Sequence, residues 1–130
     1  MNGTLYGTTE GGGSRSSGTF FSFNKSGLKT LYNFQDIPDG NLPGANLIAV
    51  NGTFYGTTVG GGTQGRGTVF SITPAGSETV LYSFLGGTDG SAPQAPLAQK
   101  GRELYGTTYT GGNTGCTNNS GCGTLFRVRI

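Results

Sequence analysis

Apolar positions in this chain come in short clusters, each bounded by glycine-rich or polar stretches, and the clusters recur in a fixed order. The marker is Tyr-Gly-Thr-Thr, which stands at residues 6–9, 55–58 and 105–108, copies 49 and 50 residues apart. Within the first copy, β-branched and aromatic residues predict strands at 3–9, 19–23, 29–34 and 46–50. The tight turn Asn24–Gly27 and the long stretches 10–18 and 35–45 separate them. Asn51-Gly52 lies between two strand-like runs and predicts a type I′ hairpin joining 46–50 to 53–58. The second copy repeats the series, with loops at 59–67 and 85–96; the third gives 103–108 and 124–130 around a loop enlarged by six residues.

Four short antiparallel strands in about 50 residues is the size of a β-propeller blade. Helical repeats need a 3.6-residue apolar period, which is absent. The runs Leu47–Val50, Thr19–Phe23 and Thr79–Phe84 carry apolar residues at adjacent positions, hence on both faces of a strand. A sheet apolar on both faces has to lie between two others. The fold expected is therefore all-β, with propeller-type blades of four antiparallel strands in about 2.5 repeats. The boundaries read as a partial blade at 1–45, a complete blade at 46–96 and a partial blade at 97–130. The strand Gly of each Tyr-Gly-Thr-Thr is expected to mark a bulge or the close approach of a neighbouring backbone. Propellers close with four to eight blades. An open stack would leave an apolar face bare at each end, so self-association or a longer parent chain is expected to close the ring.

Composition sharpens this picture. Gly is 27 of 130 residues without a three-residue period, which excludes collagen. The net charge is +2 and the eight basic residues are scattered, so no nucleic-acid footprint is expected. No run approaches the length of a membrane span. Repeat sequence begins at Asn2 with no signal peptide before it. We read the chain as lacking its true N-terminus rather than as cytosolic. The chain has no His, which removes the commonest general base and zinc ligand; no cofactor or metal is expected.

Taken together, Tyr-Gly-Thr-Thr, the Gly pair, Gly-Thr-[Val/Phe]-Phe, Leu-Tyr-x-Phe and Asp-Gly resemble the GloVer tandem repeat of bacterial proteins over nearly the whole chain. That resemblance implies an exported protein at the cell surface or outside the cell, and brings no biochemical activity with it. The function expected is a non-catalytic repeat or binding module.

The candidate sites follow from the topology. Strands of a meander alternate direction, so 10–18, 35–45, 59–67, 85–96 and 109–123 share one rim and the tight turns share the other. Loops held by a rigid scaffold tend to carry binding residues, which makes the long-loop rim the candidate face for a glycan or protein ligand. Asp39 and Asp89 lie on it in equivalent positions, as Asx-turns followed by Gly or as polar-ligand sites. Arg15 and Arg66 are loop arginines of neighbouring copies, solvated or ligand-facing. Tyr6, Tyr55 and Tyr105 are inter-blade core or sugar-stacking platforms. Cys116 and Cys122 could close a small ring by disulfide, worth about 2 kcal/mol in the chain-entropy view; free thiols or metal ligation are the alternatives. A carbohydrate-active enzyme would need a carboxylate pair. Asp39 and Asp89 repeat with the blades rather than breaking the repeat, which argues against one.

Overall fold

The computed structural model describes residues 2–112 and 121–130. Eleven strands run in order among them: β1 (Leu5–Thr9), β2 (Thr19–Asn24), β3 (Gly27–Asn33), β4 (Ile48–Val50), β5 (Thr53–Thr58), β6 (Thr68–Ile72), β7 (Glu78–Ser83), β8 (Ser91–Pro93), β9 (Ala98–Lys100), β10 (Glu103–Thr110) and β11 (Leu125–Arg129). They form three antiparallel sheets, β1-β2-β3, β4-β5-β6-β7, and β9-β10-β11 with β8 also on β10. The β3 strand begins at Gly27, two residues before the expected start, because the Lys25-Ser26 turn brings Asn24 opposite Gly27.

Local chemistry fixes the hairpins. Asn51 and Gly52 both have positive φ, 50° and 80°. This is the type I′ requirement, and it sets Val50 opposite Thr53. The register then places Gly7 opposite Phe21, Gly56 opposite Phe70 and Gly106 opposite Phe126. In each pair the aromatic ring lies over the glycine. A Cβ on Gly56 would stand 2.8 Å from Phe70 Cζ and 2.8 Å from Leu47 Cδ2. The close approach at this glycine is thus made by a side chain, not by the neighbouring backbone expected from the sequence. The backbone of a cross-strand neighbour is held away by the ladder, whereas the ring folds down into the space that a missing Cβ leaves.

The two faces of the middle sheet are both covered. Phe54, Phe70 and Ile72 face the first sheet and form one core with Phe20 and Phe34. On the opposite face Val69 and Phe84 join Leu104 of the third sheet and Leu97, which directly precedes β9. The core is therefore two layers of side chains between three stacked sheets, as adjacent apolar positions within a strand require. Tyr6 sits in the first layer, its ring 4.8 Å from that of Phe54, and Tyr55 in the second. Tyr105 faces away from both, and its hydroxyl donates to Glu103 Oε2 at 2.7 Å.

The stretch 85–96, expected to be a plain loop, contains a short 3-10 turn at Gly87–Asp89 and the strand β8. Although β8 belongs to the middle repeat, it pairs with the next one, Pro93 opposite Thr108 and Ser91 opposite Thr110. That pairing accounts for the length of β10, which runs two residues past the expected end.

Candidate functional site

The long loops meet one another on one side of the stack. Asn41 and Gly60 form an antiparallel bridge. Gly62 N–H donates to Asp36 O, and Gly112 N–H donates to Gly87 O, both at 2.9 Å. Leu42 N–H donates to Ser17 O, and Ala92 N–H to Arg66 O. Each loop that leaves one repeat is thus strapped across the glycine pair of the next. There is no room for side chains on those glycines: a Cβ on Gly61 or Gly111 would collide with the backbone of the strap.

The base of the Gly-rich loop is closed by a pair of threonines that recurs in all three repeats. The second Thr of Tyr-Gly-Thr-Thr meets the Thr that begins the following strand, or in the third repeat directly precedes it, hydroxyl to hydroxyl. The pairs are Thr9–Thr19, Thr58–Thr68 and Thr108–Thr124, each at 2.8 Å. Thr58 Oγ1 donates to Gly60 O at 2.9 Å and accepts from Thr68 N–H at 3.0 Å. Its own proton is used, so the Thr68 hydroxyl must donate to it. The clamp spans ten residues in the first two repeats and sixteen in the third. It holds the strand pair in register whatever the loop above it does. The sequence reading took these threonines only as strand formers; the constant offset from Tyr-Gly-Thr-Thr to Gly-Thr in two copies was the available signal.

The two rim aspartates have matching roles. Asp39 Oδ2 accepts from the Tyr32 hydroxyl at 2.7 Å and from Gln35 N–H at 2.8 Å. Asp89 accepts from the Tyr82 hydroxyl at 2.7 Å and from Leu85 N–H at 2.8 Å. In both repeats the Tyr of Leu-Tyr-x-Phe reaches an aspartate seven residues on and ties the loop to the strand. Both aspartates accept from the N–H four residues back rather than two residues on, so neither bond is that of the Asx-turn expected from the sequence, and of the two following glycines only Gly90, φ 98°, has the positive φ expected.

The two sites differ in their surroundings. Asp39 is 6% exposed, and Glu78, at the start of β7, approaches the same tyrosine from the neighbouring sheet. Burial, then the charge of Asp39, pushes the Glu78 carboxyl up to about 7. Burial also raises Asp39, against the opposing pull of its bonds from Tyr32 and Gln35. Tyr32 is raised by burial and then by Asp39. Asp39 Oδ1 and Glu78 Oε1 are buried without a hydrogen-bond partner. The carboxylate that the fold brings toward Asp39 is therefore Glu78 rather than Asp89. Register places Glu78 opposite Ile72 and Leu28 opposite Phe23, so Glu78 stands where the first repeat has a leucine.

The loop arginines are not gathered at one point. Arg15 is exposed. The Arg66 side chain lies along Gly86, where a Cβ would stand 3.2 Å from Nε. Cys116 lies outside the described residues, so the pairing of Cys116 with Cys122 falls there as well. Among the described residues no group of three or more His, Cys, Asp or Glu could hold a metal ion. No helix among them is long and apolar enough to cross a membrane.

The threonine clamp, the tyrosine–aspartate tie and the ring over glycine return at equivalent places, which makes the repeat a structural unit as well as a sequence pattern. The sequence profile of the Gloeobacter/Verrucomicrobia repeat matches residues 1–130. The chain belongs to this family. No curated protein sequence matches it. The signature residues of this Gloeobacter/Verrucomicrobia repeat protein are accounted for by packing. Gly seats a ring, Thr closes a loop, and Asp-Gly anchors the strap between repeats.

Proposed function

We propose that this chain is a non-catalytic binding module of an exported protein, built as a propeller-type stack whose end faces are covered by further sheets of the same repeat. The observation that carries this reading is the middle sheet, covered on both faces, against the outer sheets, each covered on one. The outer face of the first sheet presents Leu5 at 67% exposure, Phe23 at 49% and Leu28 at 68%. These stand where the middle sheet has the buried Phe54 and Ile72 and, at Leu28, the half-buried Glu78. The outer face of the third sheet presents Tyr105 and Leu125, in the places that Tyr55 and Val69 take in the middle sheet. One end thus carries one half of the internal interface, and the other end carries the other half. Such a heterologous contact gives a ring if its rotation closes.

The long-loop rim, with Arg15 and Arg66 on its loops, is the face we assign to a glycan or protein ligand. Export also agrees with a Cys116–Cys122 disulfide, since such bonds persist in oxidising compartments; intact mass without reductant tests that bond directly. A carbohydrate-active enzyme using rim carboxylates is the competing activity. The double variant Asp39→Asn, Asp89→Asn separates the two. We expect lower stability, because each aspartate loses charge-assisted bonds of about 1.5–3 kcal/mol, with the smaller share from Asp39, where burial already opposes the charge. A variant that melts like the parent but loses a hydrolytic activity of the parent would favour the enzyme. A glycan array that stays blank at high protein concentration, with a protein-ligand screen equally blank, would reduce the module to a structural spacer.

A further inference from the structure

Two buried carboxyl oxygens at the boundary of the first two repeats accept no hydrogen bond, Asp39 Oδ1 and Glu78 Oε1. Their groups come to one hydroxyl from the two sides of that boundary. Asp39 accepts from the Tyr32 hydroxyl through Oδ2, and Glu78, which begins β7, reaches the same tyrosine from the second sheet. No base balances the pair. The charged groups that act on them are each other and, on Asp39, Asp36. Lys29, the basic residue of β3, is exposed and acts on neither. The backbone that carries Glu78 cannot draw back. Thr73 N–H donates to Ser77 O at 3.0 Å and Gly76 N–H to Thr73 O at 2.9 Å, which closes the turn before it. That turn is pressed on β3, where a Cβ on Gly76 would collide with the Leu31 carbonyl.

Two ionised carboxylates only accept hydrogen bonds and repel each other, whereas a carboxylic acid also donates one. A single proton therefore gives both oxygens a partner at once. Both are sealed from water, which leaves no room for a hydrated cation in its place. We propose that Glu78 and Asp39 hold one proton between them, Glu78 donating from Oε1 to Asp39 Oδ1, and that this bond is an acid latch between the first two repeats. Asp39 is the carboxylate of the pair, because Tyr32 and Gln35 N–H both donate to its Oδ2 and favour the charged form. When a solvent base takes the proton, two anions are left side by side. Asp39 is tied to its own loop, so the half-buried Glu78 is the side chain that turns out to water, and the turn 73–77 loses its tie to the first repeat. The next tyrosine–aspartate tie, Tyr82 to Asp89, is exposed and leaves no buried oxygen without a partner. The latch thus belongs to one boundary, and it stands whatever ligand the long-loop rim takes.

The test is a titration of the intact 130-residue chain, labelled with ¹³C and ¹⁵N and followed by NMR. The carboxyl carbon of Glu78 should titrate near 7, and that of Asp39 should move in the same step, as a shared proton requires. Corrected for the intrinsic rate, amide exchange at Thr73 and Gly76 should quicken about tenfold above that step. In Glu78→Gln the amide donates to Asp39 and has no proton to lose. The Asp39 step should then vanish, and the turn should stay protected at high pH. A Glu78 that titrates with Asp39 unmoved overturns the proposal, since burial alone would account for it. So does an Asp39 that keeps its step in Glu78→Gln, which would be its own titration. Exchange at Thr73 and Gly76 that ignores the step overturns it as well, because a bond that holds nothing is no latch. The titration of the parent decides the shared proton even where the variant fails to fold.

Discussion

At the scale of the residue, the repeat is held by a few polar atoms whose hydrogen bonds are fully assigned. Thr58 is fully buried, and its hydroxyl serves one acceptor and two donors. Thr58→Val keeps the shape and leaves the Thr68 N–H and hydroxyl without a partner. We expect a loss of about 1–3 kcal/mol in chemical denaturation; an unchanged midpoint would mean that the clamp is incidental. Glu78 gives a pH dependence whose sign is fixed. Its carboxyl is raised from the ordinary 4.5 to about 7 in the folded chain, so the unfolded chain loses the proton first as pH rises. Stability is full below about 4.5, falls between 4.5 and 7, and is level above. Asp39, also raised, acts in the same direction at the acidic end. Melting temperatures across this range should decline for the parent and decline less for Glu78→Gln; a parent that gains stability from pH 4.5 to 7 would contradict the placement of Glu78. The role of Glu78 could not be read in the sequence. Glu78 is one residue among six acidic ones, and only the packing of the second sheet on the first brings it to Tyr32.

At the scale of the element, strands and turns were legible, and for physical reasons. Asn-Gly demands positive φ at two successive residues, so the 51–52 hairpin fixes itself locally. Adjacent apolar residues demand cover on two faces, so the stacking of sheets follows from single strands. What a strand does beyond its own hairpin was not legible. The 91–93 segment contains Pro and reads as loop, yet it pairs across the repeat boundary with β10, because the partner that makes it a strand lies in another repeat. The strand glycine was recognised as a close approach, but the approaching group was not, since the ring over Gly56 comes from the partner strand. Gly56→Ala tests that arrangement. The new methyl would meet Phe70 and Leu47 in a filled core, and we expect a cost of about 1–3 kcal/mol. The same change at Gly7, where Phe21 borders an open face, should cost less. Equal costs at the two positions would mean that backbone strain rather than the ring sets the requirement for glycine.

At the scale of the whole molecule, the account rests on the two bare faces. Their residues occupy the positions that the middle sheet buries, so one end complements the other as the internal sheets complement each other. Two copies would bring six sheets together, within the four to eight of closed propellers. Native mass by light scattering on a size-exclusion column, over a range of concentrations, measures this directly. The account predicts association, with a dimer of twice the 13.3 kDa chain as the closed form. A soluble monomer whose mass does not change with concentration would contradict it, since faces that stay bare in water would not be halves of an interface.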